Sequence, residues 1–184
     1  LISAPDAADL WLAPDCLGWV YQFFNTTDER RALREESAAP RNSRELAVRN
    51  QFFTPRYVVD FLVQNSLGRR LLDADPTSPL LDELPLLIDP PVGSGEPLEL
   101  SEVSLLDPAC GSGHFLLAGY DLLERAWHHA GVDAATAAPA IVRSLWGIDI
   151  DPRCAQVAAA AITFRARRSC PDGPLPRPNV VCAR

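Results

Sequence analysis

Two carboxylates and a pair of glycines carry most of the chemistry in this sequence. In "LLDPACGSGHFL", residues 105–116, an apolar run meets Asp107, passes through Gly111 and Gly113, and resumes as an apolar helical pattern. Asp149 in "LWGIDIDP" stands 42 positions after Asp107, again at the end of an apolar run. An acid at a strand tip followed by a bare loop is a binding arrangement. The glycines let backbone approach a ligand where a β-carbon would clash or forbid the dihedrals, and the helix that follows offers unsatisfied N–H groups. The acid also selects the ligand, because it would repel a phosphate and attract an ammonium. The third glycine of a dinucleotide GxGxxG loop is a leucine here, Leu116, which weakens the phosphate reading further.

The elements that must position these residues alternate. "VSLLD" reads as a buried strand, "GHFLLAGYDLLERAWHHAG" as a helix ended by Gly131, and "PAIVRSL" as a short helix. "LWGIDI" reads as a second strand, "DPRCAQVAAAAITFRARR" as a helix capped by Asp151, and "NVVCA" as a third strand. This alternation predicts right-handed βαβ units, hence an α/β fold with a parallel sheet, whose ligands lie beyond the carboxyl ends of the strands. Asp149 is then placed to accept from both hydroxyls of a ribose. A nucleoside carrying an amino acid fits all of these demands, and S-adenosylmethionine is such a molecule.

Upstream the pattern is helical. Residues 15–35 read as one helix capped by Asp15, with Trp19, Tyr21, Phe23 and Phe24 as packing aromatics, and residues 36–50 as a loop with a short turn. "NQFFTPRYVVDFLVQNSLGRR" predicts a helix with Thr54 as N-cap, Pro55 at the first position and Gly68 at the end. Residues 72–100, rich in proline and acid, predict a surface excursion, disordered in part. The expected organisation is a helical region over 1–70, a proline-rich acidic loop over 71–101 and the sheet region over 102–184.

Composition sets bounds. The chain has 184 residues, 47% of them hydrophobic, enough for one domain's core. All 17 basic residues are arginine and the formal charge is −7, so no electrostatic footprint for nucleic acid is expected within it. Five cysteines without a CxxC pair, and no histidine at metal spacing, predict neither a metal site nor a disulfide framework, as in a reduced, cytoplasmic protein. No apolar run approaches the roughly 18 residues of a membrane span, and no membrane partner is expected. The chain opens on Leu1 and contains no methionine, which predicts an internal segment of a longer protein.

"DPACGSGHFL" resembles the first cofactor motif of the amino-group DNA methyltransferases that form N6-methyladenine, and "GIDIDP" resembles their second. "NQFFTPRYVVDFLVQNSLGR" is similar to the segment that precedes the sheet when the motif order is the gamma type. "LGWVYQFF" and "SLWGIDIDPRCAQVAAAAI" resemble the large single-chain methylases of BREX phage defence and the related Type IIG restriction-modification enzymes. Type I methylation subunits share "FTP" and "DPACGSG" but usually carry glycine where His114 stands, and rank second.

The resemblance implies the first three parallel strands of a Rossmann-like class I methyltransferase fold, with covering helices, after a helical N-terminal region. It implies S-adenosylmethionine as cofactor: Asp107 receives the methionine amino group, Pro108, Ala109, Gly111 and Gly113 line the cavity, Asp149 binds the ribose, and Ile150 packs near the adenine. Phe53, Thr54 and Pro55 close the methionine side, and Cys110 is a motif residue rather than a nucleophile. The implied partners are double-stranded DNA, held by regions outside this segment, and other defence-system subunits. The family's Asn-Pro-Pro-aromatic motif is absent, since "IDPPVG" at 88–93 precedes the first strand. No catalytic residue is therefore assigned; the motif is expected beyond Arg184, and the isolated segment is expected to be inactive.

Two other readings remain open from sequence. One is a methyltransferase of the same fold acting on RNA or protein. The other is a non-enzymatic assembly module with a vestigial pocket, against which the intact Asp107, Gly111, Gly113 and Asp149 argue. His114 is expected to cap or pack, Tyr120, Trp127 and Trp146 to pack, and Arg165, Arg167 and Arg168 to form a solvated helix end. One edge of the first strand is expected to be open.

Overall fold

The computed structural model describes residues 16–22, 25–50, 54–93 and 96–183. The helix expected over 15–35 is two helices, α1 (Cys16–Gln22) and α2 (Thr27–Glu36). Thr26 separates them: its backbone is extended and its hydroxyl accepts from the Glu29 N–H at 3.1 Å, an N-cap. Asp15, Phe23 and Phe24, read as cap and packing residues, lie outside the described residues. Residues 36–50 hold a helix rather than a short turn, α3 (Ser43–Asn50). Asn42 Oδ1 accepts from the Glu45 N–H at 2.9 Å while the Glu45 carboxylate accepts from the Arg41 N–H, a relative of the capping box.

Pro55, not Thr54, occupies the cap position of α4 (Arg56–Val63), with φ −57° and ψ 145°. Nor does Gly68 end this helix. A π-turn (Gln64–Gly68) carries the chain into α5 (Arg69–Ala74), and Gly68 keeps a helical φ of −59°. Its lack of a side chain serves a close approach instead, since a β-carbon would stand 2.8 Å from Leu84 Cδ1.

This helical run straps down the proline-rich segment that was expected to be partly disordered. Gln64 accepts from the Leu86 N–H, and Asn65 accepts from the Ile88 N–H while donating to the Leu86 carbonyl at 2.7 Å. Arg69 donates to the Asp89 and Pro90 carbonyls, and Asp73 accepts from the Val92 N–H. Prolines cannot donate to a ladder, so side chains of a neighbouring helix satisfy the remaining backbone groups. Short 3₁₀ turns at Pro79–Glu83 and Leu100–Glu102 frame the segment.

Beyond it the expected alternation holds. β1 (Leu105–Asp107), α6 (His114–His129), α7 (Ala134–Ser144), β2 (Leu145–Asp149), α8 (Pro152–Ser169) and β3 (Asn179–Cys182) follow in turn. The strands form one parallel sheet in the order β1-β2-β3, with Leu106 opposite Trp146 and Asp149 opposite Cys182. This is an α/β fold of three parallel strands with covering helices, a partial Rossmann-like arrangement behind a helical N-terminal region. β1 lies at the sheet edge. Gly131, at φ 81°, follows α6 as expected, whereas α7 starts earlier than expected because Asp133 caps it through the Thr136 N–H at 2.9 Å.

α6 packs on β1 and β2, and α8 on β2 and β3, burying Leu116, Leu122, Leu123, Ala158 and Ile162 beneath one face of the sheet. Each of these leucine and isoleucine side chains contributes roughly 1.5–3 kcal/mol. Leu106, Trp146 and Val181 project from the opposite face and are about half exposed, so Trp146 does not pack as expected. Arg165 also departs from its reading as a solvated residue. It is drawn between helices, donating to Asp121 at 2.6 Å and to Glu124 on α6, with its guanidinium 4.6 Å from the Tyr120 ring centroid.

Replacing Asn65 with alanine removes both ties to Leu86 and Ile88. Amide exchange over residues 85–92 is expected to quicken by the equivalent of about 1 kcal/mol while β1 and β2 keep their protection. Unchanged exchange over 85–92 would show that Asn65 does not hold the strap.

Candidate functional site

Asp107 ends β1 and Asp149 ends β2, so parallel pairing brings the two carboxylates to the same end of the sheet. The loop between β1 and α6 is fastened to the end of β2. The Cys110 N–H donates to the Ile148 carbonyl at 2.9 Å, and the Gly111 N–H donates to Asp149 Oδ2 at 2.8 Å. The second Asp149 oxygen accepts from the Asp151 N–H, also at 2.8 Å. Gly111 and Gly113 turn the loop with φ of 52° and 92°, left-handed values that favour glycine. Their surroundings differ: a β-carbon at Gly111 would meet nothing within 4 Å, whereas one at Gly113 would lie 3.1 Å from Ala158 Cβ. Gly111 therefore borders open space, and Gly113 seats the loop on α8.

Asp107 is half-buried and only partly satisfied. Its Oδ1 accepts from the Ala109 N–H at 3.1 Å, while its Oδ2 is buried with no hydrogen-bond partner among the described residues. Burial pushes the carboxyl above its ordinary value; the Ala109 N–H opposes this, and the nearby Asp149 charge adds to it. A buried carboxylate oxygen without a partner favours a ligand that brings a donor or a positive charge. Beside it lies a pocket of about 230 Å³, walled by Leu62, Val63, Ser66, Leu106, Pro108 and Phe115. Cys110, inside the loop, has its thiol pushed up to about 12 by burial and by the carboxylates, so it is not a thiolate nucleophile at neutral pH.

Asp151 sits behind Asp149 and caps α8, as expected, through the Arg153 N–H at 2.9 Å. Its other oxygen accepts from the Tyr21 hydroxyl of α1 at 2.9 Å. Burial raises the Asp151 carboxyl, but the Arg153 N–H and guanidinium and the Tyr21 hydroxyl outweigh it and hold the group below its ordinary value. Sequence reasoning placed Tyr21 among the packing aromatics. The available signal was its three-residue spacing from Gly18, which puts both on one face of α1.

The remaining candidate residues are dispersed. Pro108 and Ala109 are exposed in the loop, and Ile150 is 40% exposed beside Asp149. Thr54 and Pro55 are half-buried ahead of α4, whose Arg56 reaches Asp121 of α6 at 3.9 Å. It is the end of α4, through Leu62 and Val63, together with Ser66 of the π-turn, that walls the pocket beside Asp107. Phe53 lies outside the described residues.

No family model matches the chain. It is 32% identical over 170 residues to the adenine-specific methyltransferase BrxX of Escherichia coli O9:H4 (strain HS), a match covering 86% of this chain and 14% of that protein. It is 31% identical over 171 residues to the adenine-specific methyltransferase PglX of Lacticaseibacillus casei (strain Zhang), covering 84% of this chain and 14% of the relative. Over most of its own length the chain is similar to adenine-specific methyltransferases. The matched segment is about a seventh of the length of these curated methyltransferases, and it includes both carboxylate loops. Among the described residues no helix is long and apolar enough to cross a membrane.

The raised Asp107 carboxyl gives a signed pH dependence. Its folded state holds the proton more tightly than the unfolded chain, so the penalty for its charge grows as pH rises from about 4 through the folded value and stays constant above it. Asp107→Asn is therefore expected to stabilise the fold at neutral pH and to lose that advantage as pH falls toward 4. Urea denaturation of both proteins at several pH values measures the difference; a gap that does not narrow on acidification would contradict the assignment.

Proposed function

We propose that the chain is the S-adenosylmethionine-binding part of a site-specific adenine-N6 DNA methyltransferase from a phage-defence or restriction-modification system. In this reading residues 102–184 are the first half of the methyltransferase domain, residues 1–70 are a helical N-terminal region that carries the Phe-Thr-Pro cofactor motif, and residues 71–101 are a proline-rich acidic loop between them. The observation that carries the reading is the buried, unpartnered Asp107 Oδ2 at the tip of β1. Similarity to adenine-specific methyltransferases supports the same conclusion.

The residues present fit this cofactor. Asp107 holds the amino group of the methionine portion, and the donor it gains there offsets the cost of its burial. Each Asp149 oxygen accepts one backbone N–H and keeps a second acceptor site for a ribose hydroxyl. Ile150 offers an exposed apolar surface beside that carboxylate for the adenine. Gly111 leaves the wall open, Pro108, Ala109 and Gly113 complete the loop, and Phe53, Thr54 and Pro55 close the methionine side. When bound, S-adenosylmethionine supplies an electrophilic methyl group. The catalytic Asn-Pro-Pro motif and the DNA-binding surface belong to other parts of the full-length protein, in keeping with the charge of −7 on this segment. Extruding the target adenine from a duplex costs roughly a few kcal/mol, offset by DNA contacts made there.

Calorimetric titration of S-adenosylmethionine into the full-length protein is expected to show one-site binding that Asp107→Ala or Asp149→Ala weakens by at least about tenfold, the worth of a charged hydrogen bond. The same protein is expected to yield N6-methyladenine in duplex DNA. Absence of cofactor binding would reject the reading. Binding with methylation of RNA or protein in place of DNA would keep the cofactor site and reject the substrate.

A further inference from the structure

Gly18 and Tyr21 share one face of α1, and that face touches both carboxylate loops at once. A β-carbon on Gly18 would lie 2.5 Å from Ser112 Oγ and 2.6 Å from His114 Nε2, so the helix backbone rests directly on the glycine loop and on the start of α6. Ser112 and His114 are buried, 2% and 8% exposed, in a place where the loop has little room to shift. One turn further along α1, the Tyr21 hydroxyl donates to Asp151 Oδ2 at 2.9 Å, a buried contact between residues 130 positions apart.

The contact continues into the site. Asp151 gives its N–H to Asp149 Oδ1, and Asp149 Oδ2 takes the N–H of Gly111. Tyr21, Asp151, Asp149 and Gly111 thus form a relay of three hydrogen bonds from an N-terminal helix to the open side of the loop. Of the side chains that donate to Asp151, those of Arg153 and Cys154 belong to α8 itself, and Tyr21 alone among the described residues comes from another element. The Arg153 guanidinium lies 5.9 Å from the centroid of the Tyr21 ring, which places the ring between α1 and the start of α8.

We propose that α1 sets the spacing of the two loops, with Tyr21 a positioning residue that acts on Asp149 through Asp151, and Gly18 the seat of the glycine loop. The inference rests on the cofactor reading above for its consequence, but the positioning itself is a property of the ligand-free protein. An α8 capped only by its own residues could rotate its first turn and carry the Asp151 N–H away from Asp149. The hydrogen bond from α1 opposes that rotation, because Tyr21 is itself buried against α8.

Tyr21→Phe keeps the ring and removes the hydroxyl. In the full-length protein it is expected to weaken S-adenosylmethionine binding about tenfold. Amide exchange is expected to quicken over residues 109–113 and 149–153 while α7 keeps its wild-type protection. Gly18→Ala is expected to weaken binding as well, by displacing Ser112. Wild-type affinity and wild-type exchange in Tyr21→Phe would overturn the inference and leave the cofactor reading intact. A uniform rise in exchange over α6, α7 and α8 would also overturn it, since Tyr21 would then serve stability alone. If the wild-type protein binds no cofactor, the cofactor reading fails, and exchange at Gly111 and Asp151 still decides the positioning role: a local rise in the variant supports it and no rise overturns it.

Discussion

The Asp149 carboxylate accepts a backbone N–H from each of two loops that are far apart in sequence. Backbone donors cannot choose another rotamer, so this pair of bonds fixes the loop after β1 against the loop after β2. Parallel pairing of β1 and β2 brings the two loops within reach, and the left-handed turns at Gly111 and Gly113 aim the first of them correctly. Asp107, at the end of the neighbouring strand, is half-buried with one oxygen unsatisfied, and its carboxyl is raised first by that burial and further by the Asp149 charge. The site therefore holds one carboxylate whose two oxygens are each already bonded by the fold and one with an oxygen left unpartnered, and the second has the greater need of a ligand that carries a donor or a cation.

That asymmetry divides the glycine loop into a structural side and an open side. Gly113 is packed against Ala158, and Cys110 has a buried thiol; both residues are committed to the interior. Gly111, Pro108 and Ala109 face outward or border open space. A loop arranged in this way can meet a ligand with little rearrangement, because its inner half is anchored by packing and its outer half by the bond to Asp149.

The sheet and its two acids were legible in the sequence because strand tips, glycine turns and helix caps are local signals. Asp107, Asp149, the Asp151 cap and Gly131 all follow from residue types within a few positions of each other. The N-terminal half was read less well, and the reasons are physical. Thr26 competes as a cap inside an otherwise helical run, and Asn42 with Glu45 forms a capping pair that a search for apolar periodicity overlooks. Gly68 looked like a helix end because a glycine there is ordinarily a terminator, yet its role is set by Leu84, sixteen positions away. The Tyr21 contact, at 130 positions, leaves no local pattern beyond its spacing from Gly18.

The strap over residues 84–92 explains how the N-terminal helices and the sheet can be separated in sequence by so many prolines and still pack together. Closing a longer loop costs little more than closing a shorter one, about 0.6 kcal/mol for each doubling of length. Fixing the loop's own backbone costs far more, of order 1–2 kcal/mol per residue. Proline reduces this second cost by restricting the unfolded chain, and Gln64, Asn65, Arg69 and Asp73 supply hydrogen bonds to groups that would otherwise need water. The strap is therefore better described as a cover laid on α4, the π-turn and α5 than as a linker. With that cover in place, the same helical run can turn its other side, through Val59, Val63, Leu67 and Leu71, into the core shared with α6. The pocket beside Asp107 gains its wall from that packing.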